Sequence, residues 1–144
     1  MEELKSFWLK FDSSLNWDKQ LPYVFFITFS RFEFALKNCK YCKIGNADAD
    51  WNKFAGELKL IFDETKNEEL DKAVEYIKNH PPQKQVYDAK ALGWKATIKD
   101  AHLSLVEWLL LMIRRIRNNL FHGGQYGKSP LLSLQEIVCC LIMA

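Results

Sequence analysis

From Leu103 onward the chain repeats apolar residues at a helical interval: Leu103, Val106, Leu110, Ile113 and Ile116. These positions lie on one face at 3.6 residues per turn, and the stripe is long enough to demand a partner surface. The pattern predicts a helix from about Asp100 to His122. Gly123-Gly124 follows and suits a left-handed C-terminal cap. A chain built around such a stripe has to pack helix against helix or helix against sheet. With 144 residues it forms one domain, 1–144, large enough to hold a core without metal or disulfide. Glycine (6) and proline (4) are scarce, which disfavours a many-turned β-sandwich, and a hydrophobic content of 49% excludes disorder.

Other segments carry the same period. Leu4, Phe7, Trp8, Phe11 and Leu15 define a first helix face. A second helix runs from Pro22 to about Tyr41. Its first half, Tyr23 to Phe29, is apolar all round, which predicts a position in the middle of a bundle. Gly45 and Asn46 are expected to stop it. Asp48 or Asp50 can cap a third helix that buries Trp51, Phe54, Leu58, Ile61 and Phe62. A fourth starts at Asn67, buries Leu70, Val74 and Ile77, and ends at His80-Pro81-Pro82. Residues 80–98 read as a long irregular connection, a kind that is uncommon unless it serves function. Ser129-Pro130 opens a last helix with Leu131, Leu134, Ile137, Val138, Leu141 and Ile142 on its apolar side. The expected fold class is all-α, an antiparallel bundle of five or six helices.

The net charge of +2 is small, but it is unevenly spread. Trp108 to Gln135 contains no acidic residue and holds Arg114, Arg115, Arg117 and Lys128. Near neutrality with one basic segment fits an anion bound at a site. Met1–Lys5 lacks the basic and apolar regions of a secretory leader. The apolar runs Trp108–Ile113 and Ile137–Ala144 are too short for a bilayer. A cytoplasmic protein without membrane contact is expected, with its four cysteines as thiols.

Chemistry concentrates at the end of the predicted fifth helix, in Arg117-Asn118-Asn119-Leu120-Phe121-His122. Asn118 and His122 are four apart and share a face, about 40° apart, so the amide can orient the imidazole. Arg117 and His122 are about 140° apart, yet a long arginine can still reach the last turn. The same residues would also suit an ordinary amphipathic helix with Arg and His at its negative dipole end.

This string resembles the Arg-x4–6-His signature of the HEPN superfamily, including the polar residue after the arginine. Arg117–Gly124 is similar to a plasmid- and defence-associated branch, which also has a helix like Arg31-Phe32-Glu33-Phe34-Ala35-Leu36-Lys37. The two segments cover about a tenth of the chain.

The resemblance implies a HEPN-like helical bundle acting as a homodimer that cleaves RNA without a metal or other cofactor. Arg117 would hold the scissile phosphate. His122 would serve as general base or acid, and Asn118 would orient His122 or contact phosphate. Attack by the ribose 2′-hydroxyl would leave a 2′,3′-cyclic phosphate and a 5′-hydroxyl. An antitoxin or nucleotidyltransferase partner is the usual company of such toxins. Members silenced by that transferase carry a tyrosine two residues after the histidine, where this chain has Gly124, so tyrosine modification is not implied. Some members bind RNA or protein without catalysis, and that is the alternative expectation.

Arg114, Arg115 and Lys128 extend a track for RNA phosphates, or form a solvated basic turn. Arg31 and Glu33 interrupt an apolar helix, as RNA-contacting groups near the motif or as a solvated edge. Trp94 and Tyr87 are either bases' stacking partners or satellite core. Cys39-Lys40-Tyr41-Cys42 supplies half a zinc site at most; small buried hydrophobes at a helix end are the simpler reading, and no metal site is expected. His102 lies about 30 Å of helix rise from His122 and cannot share its site within one chain. His80, beside two prolines, reads as a loop residue.

Overall fold

Side-chain caps start three of the described helices, each through an oxygen that takes a free backbone N–H. In a computed structural model the described residues are 20–121, with Glu2, Lys5 and Ser6. They form α1 (Gln20–Asn38), α2 (Trp51–Leu58), a 3-10 turn (Glu64–Lys66), α3 (Glu68–Asn79), β1 (Lys84–Tyr87), β2 (Leu92–Lys95) and α4 (Leu105–Phe121). Asp50 caps α2 by accepting the Lys53 N–H at 3.0 Å. Asn67 caps α3 by accepting the Glu69 and Leu70 N–H groups at 2.8 and 3.2 Å. Glu68, Glu69 and Asp71 then place negative charge in the first turn of α3, where the helix dipole favours it.

Helix α4 begins later than its apolar stripe suggests. Leu103 donates its N–H to the Asp100 carbonyl in a preceding turn, and Ser104 and Glu107 close a reciprocal capping box. The Ser104 N–H reaches Glu107 Oε2 at 2.8 Å, and the Glu107 N–H reaches Ser104 Oγ at 3.3 Å. The Ser104 hydroxyl and N–H hold the Glu107 carboxyl below its ordinary pKa. A depressed carboxyl pKa contributes stability in full above the unfolded value, near 4.3, and loses it as pH falls through the folded value. Thermal melts from pH 5 downward are therefore expected to show a steeper loss for the native chain than for Glu107→Gln.

The core gathers Phe25 and Phe29 of α1, Trp51 and Ala55 of α2, Ala73, Val74 and Ile77 of α3, and Met112, Ile113 and Ile116 of α4. Aromatic rings join α1 to α2: Phe29 stacks on Trp51 at 5.5 Å, and Phe32 meets Phe54 edge-on at 5.5 Å. Such pairs add about 0.5–1.5 kcal/mol each to simple burial. No helix of the described residues is long and apolar enough to cross a membrane.

The described architecture is mostly helical, as expected, with one small sheet that an all-α reading did not include. The segment expected as irregular contains the antiparallel hairpin β1–β2, with Lys84 opposite Lys95, Gln85 opposite Trp94, Val86 opposite Gly93 and Tyr87 opposite Leu92. Its turn is tied by Asp88 Oδ1, which accepts the Lys90 and Ala91 N–H groups at 3.1 and 3.0 Å. Four helices lie among the described residues; the expected first and last helices fall outside them.

Other expectations also shift. Helix α1 ends at Asn38, ahead of Tyr41 and of Gly45, whose φ of +88° belongs to a later turn. Among its apolar residues only Phe25, Phe29 and Leu36 are buried, while Tyr23, Val24, Phe26 and Ile27 are exposed. One face turns to the core and the rest does not, so α1 is not the bundle centre of this set of elements. Ile61 is exposed because α2 stops at Leu58 and the chain turns before reaching it. Cys39 and Cys42 are exposed free thiols rather than buried hydrophobes, because both follow the end of α1.

Candidate nucleic-acid interface

The last two turns of α4 carry basic residues around three sides of the helix, and each side has its own restraint. Arg117 points to α1. Its guanidinium carbon lies 5.6 Å from the Phe29 ring centroid and 5.3 Å from that of Phe121. Phe121 in turn packs on Phe26 at 5.1 Å. Arg117 Nη1 donates to Asn118 Oδ1 at 2.9 Å. The two residues therefore form a coupled pair, with the Asn118 carbonyl oxygen engaged and its NH₂ group left as a donor.

Arg114 lies over the Trp51 ring at 5.5 Å. Arg115 takes a different course: it donates to Thr97 Oγ1 and, at 3.5 Å, to the Pro82 carbonyl. The Thr97 hydroxyl also donates to the Pro82 carbonyl at 2.6 Å. Burial lowers the Arg115 pKa, although an arginine stays charged. Asn119, 4% exposed, donates its amide to the Gln83 carbonyl at 2.9 Å. Arg115 and Asn119 thus clamp the entry to the hairpin against α4. Thr97→Val keeps the shape and removes the shared hydroxyl. It is expected to cost about 1 kcal/mol and to speed amide exchange in β1 and β2, read by hydrogen exchange.

Between hairpin and helix lies an open groove of about 370 Å³, lined by Lys84 and Gln85 of β1 and by Arg114, Arg115 and Asn118 of α4, among others. No acidic residue lines it. Among the described residues no carboxylate forms an ion pair with Lys84, Arg114, Arg115 or Arg117. Cations without a counter-ion, the three arginines half-buried and Lys84 exposed, are poised for an exogenous anion.

The structure thus brings Arg114, Arg115 and Asn118 to one groove, with Arg117 bonded to its edge. Arg31, exposed, and Glu33, half-buried, sit on α1 and do not line it. His122 and Lys128 lie outside the described residues; His122 follows directly on Phe121. His102 is exposed in the turn before α4, its N–H bonded to Asp100. His80 is exposed at the end of α3, its ring stacked on Tyr76 at 4.5 Å. Trp94 and Tyr87 are not satellite core: they are 41% and 68% exposed on the hairpin. Among the described residues no cluster of three His, Cys, Asp or Glu side chains gathers as for a metal.

Sequence reasoning passed over Lys84, Gln85 and Asn119. The signal for Asn119 was present: an amide on the apolar side of a helix must find a buried partner. Lys84 and Gln85 carried none, because their role depends on the hairpin. No family model, curated protein or solved structure matches the chain.

Proposed function

We propose that the chain is a metal-independent endoribonuclease of the HEPN type, active as a homodimer in which two copies of the Arg117–His122 segment face one cleft. What supports this reading is Arg117: a half-buried guanidinium, stacked by Phe29 and Phe121, bonded to Asn118 and without a carboxylate partner among the described residues. An arginine so held offers its planar fork to an anion that presents two oxygens side by side, as a phosphodiester does.

In the proposed reaction the ribose 2′-hydroxyl oxygen bonds to phosphorus and loses its proton to a histidine. The bond from phosphorus to the 5′-oxygen breaks, and that oxygen takes a proton from a histidine acting as acid. His122 of each copy supplies one of these roles. Arg117 stabilises the charge that builds on the phosphoryl oxygens. Asn118, whose oxygen is engaged by Arg117, acts by holding that guanidinium and by offering its NH₂ group to phosphate; in this reading it positions Arg117.

The chemistry predicts 2′,3′-cyclic phosphate ends and no cut in DNA, which lacks the nucleophile. Incubation with end-labelled structured RNA and with the matching DNA strand tests both. Fragments of RNA alone, bearing cyclic phosphate, are expected. RNA that is bound in a salt-sensitive way and never cut would instead make the chain a non-catalytic binding module.

A further inference from the structure

The hairpin carries more than its fold requires. Residues directly opposite in an antiparallel pair point to the same side, and so do residues two apart on a strand. Gln85, Tyr87, Leu92 and Trp94 therefore share one face. Tyr87, Leu92 and Trp94 are all exposed there, and neither aromatic ring meets another ring among the described residues. Gln85, the cross-strand neighbour of Trp94, lines the basic groove. The aromatic face is thus continuous with that groove. Two residues along a strand cover about 6.6 Å, so the Trp94 and Tyr87 positions present two successive steps.

At the same end of the hairpin, on the other face of the ribbon from Trp94, Lys84 stands directly opposite Lys95. Like charges in this position repel, and neither lysine has an ion-pair partner among the described residues. Lys84 lines the groove together with Arg114. A phosphate placed there would relieve the repulsion.

We propose that hairpin and groove form one binding site for unpaired RNA, with phosphate held in the groove by Lys84 and Arg114 and bases stacked on Trp94 and Tyr87. Aromatic faces beside a cationic track are how single strands are bound, because stacking needs bases that are not already paired. The choice of RNA over a DNA single strand rests on the ribonuclease reading above; the stacking and the charge do not.

The test is fluorescence anisotropy with a short labelled oligoadenylate, in EDTA, on full chains carrying His122→Ala so that no strand is cut. Trp94→Ala and Tyr87→Ala are each expected to weaken binding about tenfold. Trp94→Phe should retain most of the affinity, and its melt identifies a variant that merely unfolds. Lys84→Gln should weaken binding and reduce the slope of log affinity against log salt by about 1. A duplex of the same sequence should bind more weakly than the single strand. Unchanged affinity in folded Trp94→Ala and Tyr87→Ala, or equal affinity for the duplex, would overturn the site. Equal affinity for oligodeoxyadenylate would overturn the choice of RNA. Binding that depends on Trp94 with no cleavage by the native chain would overturn only the ribonuclease. Cleavage that depends on Arg117 while binding ignores Trp94 and Tyr87 would overturn only the stacking site.

Discussion

Arg117→Ala is expected to lower the single-turnover rate of RNA cleavage by about 10²–10³-fold, the usual cost of removing one group that stabilises transition-state charge. Arg117→Lys should recover only a small part. The guanidinium is planar and lies near both the Phe29 and Phe121 rings, at 5.6 and 5.3 Å, while one nitrogen engages Asn118. An ammonium keeps the charge but offers no fork for two phosphoryl oxygens. Asn118→Ala should fall between native and Arg117→Ala, since it frees the arginine without removing it. Melting curves separate these effects from unfolding. An unchanged rate in Arg117→Ala would remove the role given to this residue.

The second large effect concerns stability. Phe25 is fully buried in α1, and Phe25→Ala is expected to cost about 3–5 kcal/mol. A domain of this size has about 5–15 kcal/mol in total, so most of the margin can be consumed by this one change. In urea the midpoint should fall with little change in slope. Met112→Ala, also fully buried, should cost about 2–5 kcal/mol and loosen α4 ahead of Arg117. Leu60→Ala, by contrast, removes an exposed side chain and should stay within about 0.5 kcal/mol. A loss below about 1 kcal/mol in Phe25→Ala would contradict the core described above.

Where local chemistry decides structure, the sequence could be read. Asn67 before a run of acids, and His80 before two prolines, bracket α3 as expected. Asp50 caps α2, one of the two candidates named for it. The stripe Val106, Leu110, Ile113 and Ile116 is buried in α4. Failures come where long-range packing or an unusual turn decides. The hairpin turn has no glycine or Asn-Gly pair to announce it. Instead Asp88 folds its own carboxylate onto the next N–H groups, and Ala89 takes a φ of 70°, a conformation rarely chosen by alanine. Each strand is only four residues, too short for its alternation to stand out. Exposure along α1 could not be read either. An apolar helix does not reveal which of its sides the neighbours cover, and Phe25 and Tyr23 look equally apolar in the sequence.

The candidate site was legible in part for the same reason. Arg117 and Asn118 are neighbours in the chain, so their bond is local. Lys84 and Gln85 reach the groove only because Arg115 and Asn119 clamp residues 82, 83 and 97 to α4. That contact spans more than thirty residues, and no periodicity encodes it. The arginine expected to track RNA, Arg115, is also the one whose hydrogen bonds hold the hairpin in place.

The most direct measurement compares the native chain with His122→Ala, purified identically and incubated in EDTA with end-labelled structured RNA. The account predicts fragments ending in 2′,3′-cyclic phosphate from the native chain and none from the variant. Equal cleavage by both chains, or fragments without cyclic phosphate, would contradict it.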